Sequence, residues 1–259
     1  MTETSIDIQG AKLHLRRQGK GAPLLFLHGV QGLLAASPAL DLLAHRFEVL
    51  APDHPGFGRS DTPDWIDDVP DLGFFYLDLI ETLGLKEVHV VGASLGGWIA
   101  LEMAIRSTAR IKSLTLAAPA GIRAEGAARG DMFICTPAEL SKLLFADEAA
   151  ATSWFAQWQA TAETLETYDK NRYAAAKYTW QPRLYNPKLA RWLHRIAVPT
   201  QIVWGESDQL IAPAHAEVLR GLIHGTAVTI LPGAGHMLDI EQPARFAETV
   251  LRFIEGLRP

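Results

Sequence analysis

Residues 90–98 read Val90-Val91-Gly92-Ala93-Ser94-Leu95-Gly96-Gly97-Trp98 and decide the fold class of this 259-residue chain. They hold the pattern G-x-S-x-G between an apolar, β-branched run and a helical pattern, which is the context of a nucleophile elbow. Such a turn requires strained backbone angles at Ser94 and a close approach of strand and helix. Gly92 and Gly96 permit both because they have no Cβ. The stretch therefore predicts a serine held in front of a sheet, within reach of a base and an acyl group.

The pentapeptide alone leaves a second interpretation open, which is an ordinary glycine-rich turn with an incidental serine. If the turn is an elbow, it also directs the backbone N–H of Leu95 and the positive end of the helix dipole toward a developing oxyanion. A serine nucleophile needs a base and an orienting acid beside it. The residues that follow the other strands therefore decide between the two interpretations.

Seven further apolar or alternating runs predict strands. They cover residues 6–8, 13–15, 23–27, 47–51, 111–117, 201–205 and 228–231. Helical spacing predicts helices over residues 72–83, 213–223 and 243–257. Strands that alternate with helices predict an α/β protein, with a mostly parallel central sheet of about eight strands and helices on both faces.

A change of composition after the strand at 111–117 predicts an inserted segment. An Ala- and Gly-rich stretch precedes a capping box with proline at the first helical position, Thr136-Pro137-Ala138-Glu139. The helical pattern then continues to Ile196 and holds four of the seven tryptophans. We expect residues 1–120 and 197–259 to form the core domain and residues 121–196 to form a helical cap over the carboxyl ends of the strands.

The base and the acid are predicted by their positions after the last two strands. His236 ends the loop Pro232-Gly233-Ala234-Gly235-His236, and Asp208 ends the loop Gly205-Glu206-Ser207-Asp208. Both loops lie at the sheet edge where Ser94 is expected, because the carboxyl ends of parallel strands share one edge. The chain order Ser, Asp, His is also the order expected with this elbow motif. Glu206 and Asp239 are the alternative candidates for the acid.

These motifs resemble those of the α/β-hydrolase superfamily over nearly the whole chain. The matching segments are His28-Gly29, Asp53-His54-Pro55-Gly56-Phe57-Gly58-Arg59-Ser60, the elbow, Trp204-Gly205-Glu206-Ser207-Asp208 and Gly235-His236. The resemblance implies an α/β-hydrolase fold with Ser94 as nucleophile, His236 as base and Asp208 as orienting acid. It also implies an oxyanion hole formed by the backbone N–H groups of Leu95 and Val30, with no metal and no cofactor.

Departures from subfamily patterns leave three functional hypotheses. Haloalkane dehalogenases and epoxide hydrolases have an aspartate nucleophile, which Ser94 argues against. Carbon–carbon bond hydrolases of ring-fission products typically have asparagine before the serine and tryptophan after the histidine, where this chain has Ala93 and Met237. The chain is most similar to small esterases and enol-lactonases that form an acyl-enzyme. A carbon–carbon hydrolase with the same triad, and a ligand receptor with little turnover, are the alternatives.

Composition limits the partners. The formal net charge of −5 without a basic stripe argues against nucleic acid, and no apolar run reaches the ~18 residues that a membrane span needs. The single cysteine, Cys135, excludes an internal disulfide and a cysteine-based metal cluster. The polar start, Met1-Thr2-Glu3-Thr4-Ser5, has no signal-peptide pattern. These features predict a cytoplasmic protein and assign no oligomeric state.

Aromatic and apolar side chains around the motifs predict the substrate class. Trp98 and Met237 are adjacent to the catalytic motifs, and Trp154 and Trp158 belong to the expected cap. We expect these four residues to bind the substrate, although the helical spacing of the cap tryptophans also fits the core of the cap. Apolar walls favour a neutral, apolar small-molecule ester or lactone.

Overall fold

Eight strands form one sheet in a computed structural model that describes residues 1–34 and 37–257. The strand order is β1-β2-β4-β3-β5-β6-β7-β8. β1 and β2 form an antiparallel hairpin, β2 is antiparallel to β4, and all other pairs are parallel. The strands are β1 (Thr2–Ile8), β2 (Ala11–Gln18), β3 (Ala22–Leu27), β4 (Phe47–Pro52), β5 (Val88–Ala93), β6 (Ile111–Ala117), β7 (Thr200–Gly205) and β8 (Ala227–Leu231). The predicted α/β class and mostly parallel sheet are confirmed.

Helices alternate with these strands and also occupy the segment between β6 and β7. They are α1 (Pro38–Ala44), α2 (Val69–Thr82), α3 (Leu95–Arg106), α4 (Pro137–Leu144), α5 (Glu148–Trp158), α6 (Ala162–Thr179), a 3₁₀ helix (Leu189–Arg195), α7 (Ala214–Leu222), α8 (Leu238–Glu241) and α9 (Pro243–Gly256). α2 begins three residues before the predicted start at 72. The Asp68 carboxylate caps it by accepting from the Asp71 N–H, and Pro70 suits the first turn.

The sheet and α3 form the centre of the core. β3 and β5 lie next to each other in the middle of the sheet and are buried from Leu24 to Leu27 and from Val88 to Gly92. α3 is buried from its first residue to Ala104, which explains why its sequence is apolar on all sides. Its one buried acid, Glu102, accepts hydrogen bonds from the side chains of Trp98, Arg106 and Asn186. The elbow therefore stands on a fully buried part of the fold.

Side chains of α6 hold the inserted segment on the core. The amide of Asn171 donates to the carbonyl of Gln31, and Lys170 donates to the carbonyls of Gly58 and Ser60. The Tyr178 hydroxyl donates to a third loop carbonyl, that of Pro55. These donors satisfy loop carbonyls that no strand pairs. The division into a core (1–120 and 197–259) and a cap (121–196) stays a prediction.

No helix within residues 1–34 and 37–257 is long and apolar enough to cross a membrane. In the same part of the chain, no group of three or more His, Cys, Asp or Glu residues is placed to hold a metal ion.

Candidate active site

Ser94 lies at the turn between β5 and α3 with a backbone conformation that is rare for a residue with a side chain. Its φ is 52° and its ψ is −112°. Backbone hydrogen bonds hold this conformation: its N–H donates to the Ala117 carbonyl (2.8 Å), and its carbonyl accepts from Trp98 (3.1 Å) and Ala120 (3.0 Å). Strain of this kind persists only where surrounding contacts enforce it. The sharp turn predicted from the sequence is present.

The elbow glycines are required by close backbone contacts. A Cβ on Gly92 would lie 2.4 Å from the Gly96 carbonyl oxygen, and a Cβ on Gly96 would lie 2.0 Å from the Leu27 carbonyl oxygen. Both distances are far below a normal van der Waals contact, and the opposing atoms are backbone that cannot rotate away. Strand β3, strand β5 and helix α3 therefore meet only because these positions have no side chain.

The structure brings Ser94, His236 and Asp208 together in one hydrogen-bonded chain. His236 Nε2 lies 2.9 Å from Ser94 Oγ, and His236 Nδ1 lies 2.8 Å from Asp208 Oδ2. A carboxylate only accepts hydrogen bonds, so Nδ1 carries the proton and the neutral Nε2 accepts from the serine hydroxyl. All three residues are at least 92% buried. The arrangement can remove the serine proton as the oxygen attacks a carbonyl.

Four donors fix the Asp208 carboxylate. Oδ1 accepts from the backbone N–H groups of Leu210 and Ile211, both at 2.9 Å. Oδ2 accepts from the indole Nε1 of Trp204 at 3.0 Å in addition to His236. Hydrogen bonds of this kind fix the position of the acid. Trp204 belongs to a motif that the sequence shows, but its role as a donor to the acid is not predictable from that motif.

The two alternative acids do not contact His236 with their side chains. Glu206 is exposed, and its carboxylate accepts from the Gly233 N–H at 3.1 Å. Asp239 lies in the wall of the cavity beside Ser94, and burial raises its pKa to about 6. Of the three candidates, only Asp208 is placed to orient the imidazole.

The turn after β3 lies directly against the serine. A Cβ on Gly29 would be 3.3 Å from the Ser94 Cβ, which places the adjacent Val30 beside the nucleophile. The N–H groups of Val30 and Leu95 donate to no other group among residues 1–34 and 37–257. Both remain free to bind an oxyanion, as the sequence interpretation requires.

Two histidines whose ring centroids lie 3.7 Å apart, His28 and His54, support that turn. His28 Nδ1–H donates to the Gly29 carbonyl at 2.7 Å, and its Nε2 accepts from the His54 N–H at 3.0 Å. The His54 ring donates to the His28 carbonyl at 2.8 Å and accepts from the Tyr76 hydroxyl. Burial lowers the pKa of His28 to about 4 and that of His54 well below its usual value. Both rings are therefore neutral at pH 7 and serve to brace the turn.

Glu241 joins the histidine loop to the inserted segment, and sequence analysis did not identify it. Its carboxylate accepts from the N–H groups of Gly235 (2.5 Å), Ala146 (2.8 Å) and Asp147 (2.5 Å). The carbonyl of Leu144, at the end of α4, accepts from the N–H groups of the two residues that follow Gly235. The position of the imidazole thus depends on the first helix of the insertion.

The cavity beside Ser94 is narrow, with a volume of about 30 Å³, which suffices for about two water molecules. Of the four predicted substrate-binding residues, Trp154 and Met237 line it. Trp98 and Trp158 do not. The indole of Trp98 donates to Glu102, and a Cβ on Gly121 would lie 2.6 Å from its ring.

Trp158 is buried within the insertion. Its ring centroid lies 6.0 Å from that of Trp154 and 5.8 Å from that of Tyr168. The wall expected to be apolar also holds three polar side chains, which come from outside the insertion: Gln31, Ser37 and Asp239.

Comparison with known proteins identifies the family of this chain. A sequence model of the alpha/beta hydrolase family matches residues 24–249. The chain belongs to this family. Its relatives include a dihydrolipoyllysine-residue acetyltransferase component of the acetoin cleaving system of Cupriavidus necator, which is 28% identical over 96% of this chain and 68% of the relative.

Two further relatives in the alpha/beta hydrolase family are hydrolases. A 2-hydroxymuconate semialdehyde hydrolase of a Pseudomonas species is 27% identical over 95% of this chain and 91% of the relative. A solved structure of a serine hydrolase involved in carbazole degradation is 26% identical, with a TM-score of 0.77 and coverage of 99% of both chains. The predicted superfamily membership is thereby confirmed.

Proposed function

We propose that this family member is a serine hydrolase that cleaves a carboxylic ester or lactone through an acyl-enzyme. The observation that carries the proposal is the hydrogen-bonded chain from Ser94 Oγ through His236 to the fixed carboxylate of Asp208. Two free backbone N–H groups beside the serine supply the stabilisation that a tetrahedral intermediate needs.

In the proposed reaction, Ser94 Oγ attacks the substrate carbonyl while His236 Nε2 accepts the hydroxyl proton. The N–H groups of Val30 and Leu95 bind the oxyanion as it forms. His236 then protonates the leaving alcohol, and the Ser94 ester remains. A water molecule that gives its proton to His236 hydrolyses this ester and returns the serine to its hydroxyl form.

Hydrolysis of a carbon–carbon bond is the second candidate. Two relatives favour it, the 2-hydroxymuconate semialdehyde hydrolase and the serine hydrolase involved in carbazole degradation. Two observations argue for the ester or lactone instead. Ala93 and Met237 stand where that subfamily typically has asparagine and tryptophan. The residues that line the cavity include no arginine or lysine that could pair with the carboxylate of a ring-fission product.

The test is covalent labelling with a fluorophosphonate followed by peptide mass spectrometry. We expect one label, on Ser94, and a loss of turnover of an aryl ester on the order of 10⁶-fold in Ser94→Ala. Ser153→Ala, at an exposed position on α5, is the matched control and should retain full labelling and turnover. Label on another serine would contradict the proposal.

Substrates separate the remaining alternatives. Turnover of the aryl ester without turnover of a ring-fission dienone supports the esterase, and the reverse supports the carbon–carbon hydrolase. Labelling without turnover of either compound would favour a receptor on this fold.

A further inference from the structure

Gln31 carries a buried amide without a partner in the wall of the cavity beside Ser94. The residue is 2% exposed, and neither Nε2 nor Oε1 has a hydrogen-bond partner among the residues that the structure describes. Its backbone, in contrast, is fixed, because its carbonyl accepts from Asn171 Nδ2 at 3.0 Å. Buried amides are almost always paired, so an unpaired amide on a residue that lines a cavity indicates that a ligand or water binds there.

Ser37 provides a second unpaired group in the same wall. Its hydroxyl is buried and without a partner in residues 1–34 and 37–257, and the residue also lines the cavity. It precedes α1, yet its side chain makes no capping hydrogen bond to that helix. A serine in this position ordinarily caps the helix. The Ser37 hydroxyl is therefore left available to the cavity.

Asp239 lines the cavity three residues after His236. No lysine or arginine in the described part of the chain forms an ion pair with it, and none lines the cavity. Burial raises its pKa to about 6, so the carboxylate carries negative charge at pH 7.5. The wall consequently offers acceptors and an amide donor and repels an anion.

We propose that Gln31, Ser37 and Asp239 form a polar subsite that binds neutral hydroxyl groups of the substrate next to the scissile bond. The inference rests on the proposed esterase function and names its substrate class. All three residues line the same cavity of about 30 Å³ as Ser94. A substrate that extends from Ser94 into this cavity would meet them.

Hydroxyl groups fit this set better than other polar groups do. A hydroxyl donates one hydrogen bond and accepts others. It can donate to the Asp239 carboxylate or to Gln31 Oε1 and accept from Gln31 Nε2 or Ser37. A ketone would leave the acceptors of the wall unpaired, an ammonium would leave the Gln31 donor unpaired, and a carboxylate would be repelled by Asp239. Two neighbouring hydroxyls would satisfy the whole subsite.

The experiment compares esters that differ only in hydroxyl groups. Glyceryl monobutyrate is paired with propyl butyrate for hydroxyls on the alcohol side. Ethyl 3-hydroxybutyrate is paired with ethyl butyrate for a hydroxyl on the acyl side. In one of these pairs we expect kcat/KM at least 10-fold higher for the hydroxyl-bearing ester, and that pair shows which side of the scissile bond faces the subsite.

Three variants test the residues themselves. Gln31→Met keeps the volume and removes the amide, and we expect it to lower the hydroxyl-to-deoxy ratio of kcat/KM about 10-fold. One lost hydrogen bond is commonly this large. Ser37→Ala should lower the ratio in the same direction and serves if Gln31→Met folds poorly. Asp239→Asn should raise turnover of monoethyl succinate, which carries a carboxylate, relative to ethyl butyrate. The control Gln157→Met, exposed on α5, should leave the ratio unchanged.

The outcomes separate the two proposals. If esters are hydrolysed but Gln31→Met and Ser37→Ala keep the wild-type ratio, the unpaired groups bind only water and the subsite is refuted. Labelling of Ser94 without turnover of either hydroxyl-bearing ester refutes it as well. Absence of both labelling and turnover would instead contradict the esterase function.

Discussion

Replacing Asn171 by aspartate is expected to slow ester hydrolysis about 10- to 100-fold, although this residue does not contact the triad. Its Nδ2 donates to the Gln31 carbonyl at 3.0 Å, and its Oδ1 accepts from the Gly58 N–H at 2.9 Å. The aspartate keeps the second bond and places an oxygen against the Gln31 carbonyl oxygen. Gln31 follows Val30, whose N–H is proposed to bind the oxyanion, so the repulsion displaces that donor.

The magnitude follows from the lost hydrogen bond. A buried carbonyl left without a donor costs about 1–3 kcal/mol. If the turn relaxes to avoid this cost, the oxyanion contact loses a similar free energy in the transition state. Since 1.4 kcal/mol corresponds to a factor of ten, the loss is about 10- to 100-fold. It should appear in kcat rather than in KM, because the oxyanion forms only as the bond is made.

The assay measures kcat and KM for an aryl ester together with the free energy of unfolding in urea. Asn186→Asp is the matched control. Asn186 also lies in the inserted segment, and its Nδ2 donates to Glu102 Oε1 at 2.8 Å, outside the residues that line the cavity beside Ser94. The control should lose at least as much stability while keeping its kcat within about twofold. An equal fall of kcat in both variants would refute the reasoning, because stability alone would then explain it.

Three further predictions follow from the geometry. Asp208→Asn should lower kcat on the order of 10⁴-fold, as loss of the orienting acid does elsewhere, whereas Glu206→Gln should lower it less than about threefold. Gly96→Ala should not yield soluble folded protein, because its Cβ would lie 2.0 Å from the Leu27 carbonyl oxygen. The thermal midpoint should fall as the pH drops from 6.5 toward 4, because the buried His28 (pKa about 4) stays neutral while the unfolded chain binds a proton.

Each of these predictions has a result that would contradict it. A larger effect of Glu206→Gln than of Asp208→Asn would mean that the wrong loop residue is assigned as the acid. A folded Gly96→Ala variant with the wild-type melting temperature would mean that strand and helix are farther apart at the elbow than observed. If His28→Gln still folds, its thermal midpoint should depend less on pH between 6.5 and 4 than that of the wild type. An unchanged dependence would contradict the role assigned to His28.

The fold could be predicted because its decisive residues act through the backbone. Gly92 and Gly96 are needed wherever a strand, a sharp turn and a helix approach closely, whatever the rest of the sequence does. The apolar run from Leu24 to Leu27 belongs to a strand covered on both faces, so its lack of alternation is itself informative. Glycines at close backbone contacts and continuous apolar runs can be recognised in the sequence without knowledge of side-chain contacts.

The proximity of Ser94, Asp208 and His236 was predictable for a related reason. Parallel strands end at one edge of the sheet, so residues that follow three different strands meet there without knowledge of any side-chain rotation. Asn171 and Glu241 could not be found in this way. Asn171 contacts the Gln31 carbonyl from a distant part of the sequence, and Glu241 links the nearby Gly235 to the distant Ala146, so no pattern of residue types predicts these contacts.

The substrate-binding residues were only partly predictable because position along the helix axis and local hydrogen bonds decide which side chains reach the cavity. Trp154 and Trp158 are four residues apart and share one face of α5, yet only Trp154 reaches the cavity and Trp158 packs behind it. Distance along the helix axis thus separates two residues that periodicity treats as equal. Trp98 follows the nucleophile by four residues, but its indole donates to the buried carboxylate of Glu102 and does not line the cavity.

The polar wall of the cavity was not predicted because the residues that form it lie outside the insertion. The aromatic side chains of the insertion led to the prediction of an apolar pocket. The cavity is instead bounded on one side by the turn after β3 and by the start of α8, which contribute Gln31 and Asp239. Both segments are held by hydrogen bonds to the insertion: the Gln31 carbonyl accepts from the Asn171 side chain, and the Leu144 carbonyl accepts from the N–H groups of His236 and Met237. Of the large apolar side chains in the wall, Trp154 comes from the insertion, whereas Leu33, Leu34, Met237 and Ile240 do not. The side chains that would select a hydroxyl nevertheless lie outside the insertion, so replacing Trp154 should alter the preferred size of the substrate without removing that selectivity.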